Sequence, residues 1–338
     1  MSTRTERAAA DSAATVAISV DLDAPQDYAE FYGKPWQLAG DRFLAGVLPS
    51  FLELFAELGI RATFFAIARN ARSAEGARLH RMLVDAGHEV ANHTLSHVTA
   101  FRTLDPAARR REIADARAIL EDATGRPVVG FRTPAYDVDP TTLAILIEQG
   151  YHYDSSLNPT PFLVPMKWII QALARRRQVG LGTWDHRVAP TAPHWYWHAS
   201  DGAAALQRGA ARPPADTPSL LELPLTMVPP IRFPFYGTIT QILGPRWFGM
   251  ALAAIRRRPQ AINYELHALE LGDTGPAEDL AALRSVPGYG KDGARKAAVL
   301  RATLAELAAG STFVTLAELA ALCAGDPPRA MDMAQGDS

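Results

Sequence analysis

At 338 residues with 48% hydrophobic side chains, the chain can bury a sizeable core, and its length fits one large α/β domain or two small ones. A formal net charge of −2 gives no basis for general nucleic-acid binding, and no apolar run reaches the roughly 18 residues of a membrane span. The one cysteine, Cys323, excludes an intrachain disulfide and reads as a small buried hydrophobe in an apolar helix.

Residues 1–13 read as a disordered N-terminus. They carry charges of both signs and no apolar segment of the secretory kind, so a cytoplasmic protein is expected. A strand-like run at 16–20 then precedes an amphipathic helix at 43–58, stopped by Gly59. A second strand at 62–66 leads to a helix at 74–85, stopped by Gly87. After a strand at 88–92, Asp105-Pro106 combines an N-cap with proline at the first helical position and starts a helix running to Gly125. The same signal recurs at Asp139-Pro140, between a strand at 128–131 and a helix closing at Gly150. Later strands fall at 151–154, 220–224, 261–266 and 312–314. Strands alternating with helices predict a parallel sheet, and this many units predict a barrel. One domain is expected over 14–324, with irregular insertions at 158–217 and 229–258 and a flexible tail at 325–338.

Barrels of this kind place functional residues at the carboxyl ends of strands, and Asp21, Asp23, His93, Arg132 and His267 all fall there. His93 and His97 are four residues apart, a spacing that puts two imidazoles on one face of a helical turn, where they can share an ion. A carboxylate from Asp21-Leu22-Asp23 would complete three protein ligands and leave positions for water and substrate. Taken alone, the histidine pair equally fits a polar helix face.

The wider context resembles the polysaccharide deacetylases of carbohydrate esterase family 4, which remove acyl groups from N-acylated sugars. The resemblance rests on Ala62-Thr63-Phe64-Phe65, Ala86-Gly87-His88-Glu89-Val90-Ala91-Asn92-His93 and Gly130-Phe131-Arg132-Thr133-Pro134-Ala135-Tyr136. Tyr153-Asp154-Ser155-Ser156, Leu221-Glu222-Leu223-Pro224 and Leu266-His267 follow in the family's order. It implies an irregular (β/α)7-type barrel. It also implies Asp21 as base, Asp23, His93 and His97 as metal ligands, Arg132 as the partner of the base, and His267 as general acid. Zinc is the default ion for two imidazoles and one carboxylate, with cobalt or nickel fitting the same ligands. Ala135 departs from the usual Pro-Tyr pair, so Tyr136 and the backbone amide beside it are oxyanion donors by resemblance only, and a structural role for Tyr136 stays open. Asp154 is a charge partner or an ordinary turn residue, and His88 reads as structural. The roles of His186, His194 and His198 stay open between groove and loop.

The expected substrate is an acylated amino sugar in a polymer, oligosaccharide or glycolipid. Rival expectations are a lipid-linked aminosugar deformylase, a hydrolase of small non-sugar amides, and a silent carbohydrate-binding relative. Apolar segments followed by Arg175-Arg176-Arg177 and Arg256-Arg257-Arg258 add an expectation of peripheral attachment to the inner face of a membrane. The oligomeric state is left open.

Overall fold

The computed structural model describes residues 14–32, 40–166, 168, 182, 184–198, 206–271 and 292–326. The expectations for residues 1–13, for most of the tail and for Arg175, Arg176 and Arg177 lie outside the described residues. The chain runs β1 (Ala14–Asp21), α1 (Pro25–Tyr32), α2 (Gly40–Leu58), β2 (Ala62–Ala66), α3 (Ala74–Asp85), β3 (Glu89–Asn92), α4 (Pro106–Thr124), β4 (Gly130–Phe131), α5 (Pro140–Glu148) and β5 (Tyr153–Asp154). It continues through β6 (His194–His198), β7 (Leu206–Gly209), β8 (Ser219–Glu222), β9 (Met227–Val228), β10 (Phe233–Pro234), α6 (Gly237–Leu243), α7 (Pro245–Ile255), β11 (Ile262–His267), α8 (Gly293–Ala308), β12 (Ser311–Val314) and α9 (Leu316–Ala324).

Among the described residues, seven parallel strands form the wall in the order β11-β1-β2-β3-β4-β5-β8. The ends of this row meet just past β8: Thr226 N–H donates to the Asn263 carbonyl, and the Asn263 amide donates to the carbonyls of Leu223 and Pro224. The fold is therefore the irregular (β/α)7 barrel that the alternating pattern and the motifs imply. β12 adds in parallel to the first half of β1, on the edge that β2 takes over at Ile18. The aromatic run 194–198 forms an antiparallel hairpin with β7 and lies against β8. A short hairpin, β9 just before the expected insertion at 229–258 and β10 inside it, gives way to α6 and α7.

Period-two alternation sorts the wall's side chains. Val16, Ile18 and Val20 join the large outer cluster beneath the helices, while Ala17, Phe65, Ala91, Tyr153, Leu221 and Leu223 pack inside. The amino-terminal end of the barrel is plugged by α9, whose first amides bond Thr63 Oγ1 and Glu89. Cys323 is exposed, contrary to its reading as a buried hydrophobe, because α9 buries only its first two turns through Leu316, Leu319 and Ala320. The start signals act through side chains: Asp105 accepts from Ala108 N–H at 2.9 Å and Asp139 from Thr142 N–H at 2.9 Å. Each such cap contributes about 1 kcal/mol.

Candidate active site

β1 delivers Asp21 at its last residue, with Ser19 below it on the same inner face, and the chain leaves the strand through Asp23. β3 ends at Asn92, and His93 follows at once, its N–H bonded to the Ala66 carbonyl. His93 and His97 do not lie on a helical turn, which corrects the sequence expectation. The segment is a loop in which Thr94 and His97 take left-handed φ values of 69° and 58°. Side chains impose this path: Asn92 Oδ1 accepts from Thr94 N–H at 2.7 Å and Thr94 Oγ1 from His97 N–H at 3.1 Å, so local bonds displace the helical ones. Glu112 on α4 clamps the loop by accepting from Leu95 N–H, Ser96 N–H and Ser96 Oγ–H.

The loop brings both rings to Asp23. Asp23 Oδ1 lies 3.4 Å from His93 Nε2 and 3.3 Å from His97 Nε2. Asp23 Oδ1, His97 Nε2 and His97 Nδ1 are buried without a hydrogen bond. Burial works against the Asp23 carboxylate, but the two imidazoles hold it well below the usual range. Burial also opposes charge on His97, and the Asp23 and Asp27 carboxylates outweigh it, raising His97 to about 9. His93 Nδ1 sits 2.8 Å from the Arg132 carbonyl oxygen; donating there keeps Nε2 as the free lone pair. Converging buried ligand atoms from one carboxylate and two imidazoles, of which Asp23 Oδ1 and His97 Nε2 have no hydrogen-bond partner, fit a divalent ion such as zinc.

A second trio, Asp21, Glu265 and His267, also lies within 4.8 Å mutual reach. Here a cation is already built in. The fully buried Arg132 guanidinium donates to Asp21 Oδ1 at 2.6 Å and lies 3.2 Å from Glu265 Oε1. Its other nitrogens bond Ser19 Oγ, Ser155 Oγ and the Ser155 carbonyl, and its face covers the Phe65 ring at 4.1 Å. Burial lifts Glu265 to about 7, with the Asp21 charge adding to it and Arg132 opposing. For His267, burial lowers the charged form, but the Glu270 contact and the charges of Glu265 and Asp21 prevail and raise it to about 10. A protonated His267 and Arg132 thus balance the carboxylates, which makes this an acid–base cluster.

Tyr136 lies beside this cluster in a left-handed turn, φ 54° at Ala135 and 57° at Tyr136, and its hydroxyl donates to Glu265. Asp154 lies at the end of β5. Facing outward from the barrel wall, it pairs in register with Glu222 and accepts from Ser156 Oγ. His267 instead has Glu270 Oε1 at 3.6 Å from Nδ1, with Thr238 Oγ1 donating to that same oxygen at 2.7 Å. Gly237 is what admits Glu270: a Cβ there would stand 1.8 Å from Glu270 Oε2. His88 accepts from Ala62 N–H among Phe55 and Phe64. His194 contacts Tyr196 on β6 and His186 lies against the Asn158 backbone.

Sequence reasoning did not single out Asp27, Glu112, Glu265 or Glu270. A signal exists for Glu265: in Asn263-Tyr264-Glu265-Leu266-His267 every second residue is polar, which in a barrel strand means a polar inner face. The others are joined to the site only by the tertiary fold.

The sequence pattern of the polysaccharide deacetylase family matches residues 32–153, which include His93, His97 and Arg132. The chain is 29% identical over 153 residues to a peptidoglycan deacetylase of Helicobacter pylori, covering 44% of this chain and 50% of that protein. It thus spans half the length of that relative. Among solved structures, a protein of Mycobacterium smegmatis named as a polysaccharide deacetylase superposes with a TM-score of 0.57 at 19% identity, covering 94% of this chain and 93% of its own. Another so named, from Pseudomonas aeruginosa, gives 0.55 at 16% identity, covering 92% and 91%. These structural likenesses show the fold.

Proposed function

We propose, from the match of residues 32–153 to the polysaccharide deacetylase family, that the chain is a divalent-metal-dependent hydrolase removing an N-acyl group, acetyl foremost, from an amino sugar. The observation that carries this is the convergence of Asp23, His93 and His97, with Asp23 Oδ1 and His97 Nε2 lacking hydrogen-bond partners, beside an Arg132-held Asp21 and His267.

In this reading Asp23, His93 and His97 hold the ion, zinc by default and cobalt or nickel as alternatives. Bound there, it would supply Lewis acidity toward the acyl carbonyl and acidify water. Asp21 accepts the proton of the attacking water, and Arg132 fixes the Asp21 carboxylate through the 2.6 Å bond. His267 gives a proton to the departing amine nitrogen as the C–N bond breaks. Glu270 and Thr238 fix the imidazole that does so. Tyr136 spends its hydroxyl proton on Glu265 and therefore braces the cluster, leaving the oxyanion to the backbone amide beside it.

The test is acetate release from chitooligosaccharides, peptidoglycan fragments and acetylated small amides, and formate release from formylated ones, by protein loaded with zinc, cobalt or nickel. Release from sugars that a chelator stops is expected. Release from small amides alone would move the substrate class, and metal-loaded protein that binds sugars without releasing acid would identify a silent relative.

We also propose peripheral attachment at the inner face of a membrane. Exposed Val188, Ile231, Ile242, Leu243 and Met250 support it, as do the exposed Arg257 and Arg258; Arg256 instead bonds the carbonyls of Leu307 and Ala309. No described helix is long and apolar enough to cross a membrane. Flotation with anionic vesicles, weakened by Ile231→Ser with Met250→Ser and by Arg257→Glu with Arg258→Glu, is the expected result. Protein that stays in solution at low salt overturns it.

A further inference from the structure

Asp27 lies in the first turn of α1, four residues beyond Asp23, and is 2% exposed. Its Oδ2 accepts from Ala24 N–H at 2.7 Å. Its Oδ1 pairs with the Arg69 guanidinium and stands 3.9 Å from His97 Nδ1. Arg69 in turn is tied to the histidine loop, donating to the Ser96 carbonyl at 3.1 Å and, through its backbone N–H, to the Leu95 carbonyl. One arginine thus fixes Asp27 relative to the loop that carries His97. Burial raises the Asp27 carboxyl, with the His97 and Arg69 charges opposing.

The two imidazoles differ in what faces their far nitrogens. His93 Nδ1 has the Arg132 carbonyl at 2.8 Å. His97 Nδ1 is buried without a hydrogen bond, and the carboxylate facing it is that of Asp27. A neutral imidazole carries one N–H, and the acceptor it meets decides which nitrogen is left as the ligand. A carboxylate in that place also makes the ring a stronger donor to a metal. We propose that Asp27 is a positioning residue of the metal centre, taking the Nδ1 proton of His97 as a hydrogen bond so that Nε2 is presented to the ion. The proposal rests on the metal reading given above and extends it by one residue that touches neither ion nor substrate.

A purely structural Asp27 would cap the turn at Ala24 and neutralise Arg69. Asp27→Asn keeps the cap, since its amide oxygen can still accept from Ala24 N–H, and removes the charge toward both His97 and Arg69. Zinc affinity, measured by competition with a chromophoric chelator, is expected to fall about 10- to 100-fold in Asp27→Asn, while the metal-free protein keeps a cooperative melting transition. Arg69→Met, which removes the ion pair and keeps the carboxylate, is expected to bind zinc within a few-fold of wild type. In zinc-loaded wild-type protein, long-range ¹H–¹⁵N spectra should show His97 protonated at Nδ1, a readout that does not depend on any variant folding. Equal zinc affinity in Asp27→Asn, or His97 protonated at Nε2, overturns the proposal while leaving the metal centre standing. Wild-type protein that takes up none of zinc, cobalt and nickel overturns the metal reading and the proposal together.

Discussion

Asp21 and His267 are direct register partners in the parallel pairing of β1 with β11. One step earlier on the same inner faces, Ser19 is opposite Glu265, and Arg132 reaches across from the end of β4 to bond both Ser19 and Asp21. In the proposed roles, a base and an acid that leave neighbouring strands at one level can flank a single acyl group. Arg132 gives this corner its rigidity. Removing a partner from a buried ion pair costs about 3–5 kcal/mol, so Arg132→Leu is expected to lower stability as well as turnover.

Metal uptake should divide the two aspartates of the Asp21-Leu22-Asp23 turn. Asp23→Ala, His93→Ala and His97→Ala each remove one of the three converging groups and are expected to abolish binding. Asp21→Asn removes only the carboxylate held by Arg132, so it should keep the ion and lose turnover. Metal analysis of the purified variants checks this, and an Asp21→Asn protein without metal would show that the roles are exchanged.

His267→Ala should bind substrate and turn over slowly, because an amine leaving group departs poorly without a proton. The loss of general-acid help is expected to be about 10²- to 10⁴-fold against an amide. An activated ester, whose leaving group needs no proton, should lose far less. Equal losses on both substrates would mean that His267 only supports the structure.

Much of the barrel is legible in the chain because its signals are local. Asp105-Pro106 and Asp139-Pro140 act as helix starts through the bonds their side chains make, and Gly59, Gly87, Gly125 and Gly150 take the positive φ values that a helix stop requires. The histidine loop was misjudged for the opposite reason. Four-residue spacing suggests a helix, but the Asn92 and Thr94 side chains bond neighbouring amides and turn the chain into left-handed conformations. Glu270 could not be singled out from sequence, since its link to His267 depends on α6 delivering Thr238 and on Gly237 leaving room. For Asp154 the motif leaves a charge partner and a turn residue open, and strand alternation points it outward to Glu222.

The alkaline limb of activity should report Glu270. His267 is raised to about 10, with burial opposing and Glu270 foremost among the groups that favour its charge, followed by Glu265 and Asp21. Glu270→Gln removes that carboxylate, so His267 should lose its proton at lower pH and the alkaline limb of kcat/KM should move down. The same linkage affects stability. A histidine whose folded pKa exceeds its unfolded value of about 6.5 stabilises fully below that pH, and the contribution disappears as pH rises through about 10. An unmoved limb in Glu270→Gln would show that Glu270 does not set the charge of His267.

The buried pair Asp154 and Glu222 predicts a second pH effect, on folding and away from the chemistry. Both are wholly buried register partners on β5 and β8, and Asp154 Oδ2 and Glu222 Oε2 are buried without a hydrogen bond, so one proton held between the two carboxyls would relieve both. Burial raises Asp154 to about 6, and burial together with the Asp154 charge pushes Glu222 well above the usual carboxylate range. Folded pKa values above the unfolded ones mean that the pair stabilises below about pH 4 and loses that contribution as pH rises through about 6 and beyond. Glu222→Gln supplies a permanently neutral partner that can donate to Asp154. Relative to wild type it should therefore gain about 1 to 3 kcal/mol between pH 5 and pH 8, read from urea unfolding midpoints at constant m-value. A stability difference identical at the two pH values would mean that both carboxylates are ionised in the folded protein and that no proton is shared.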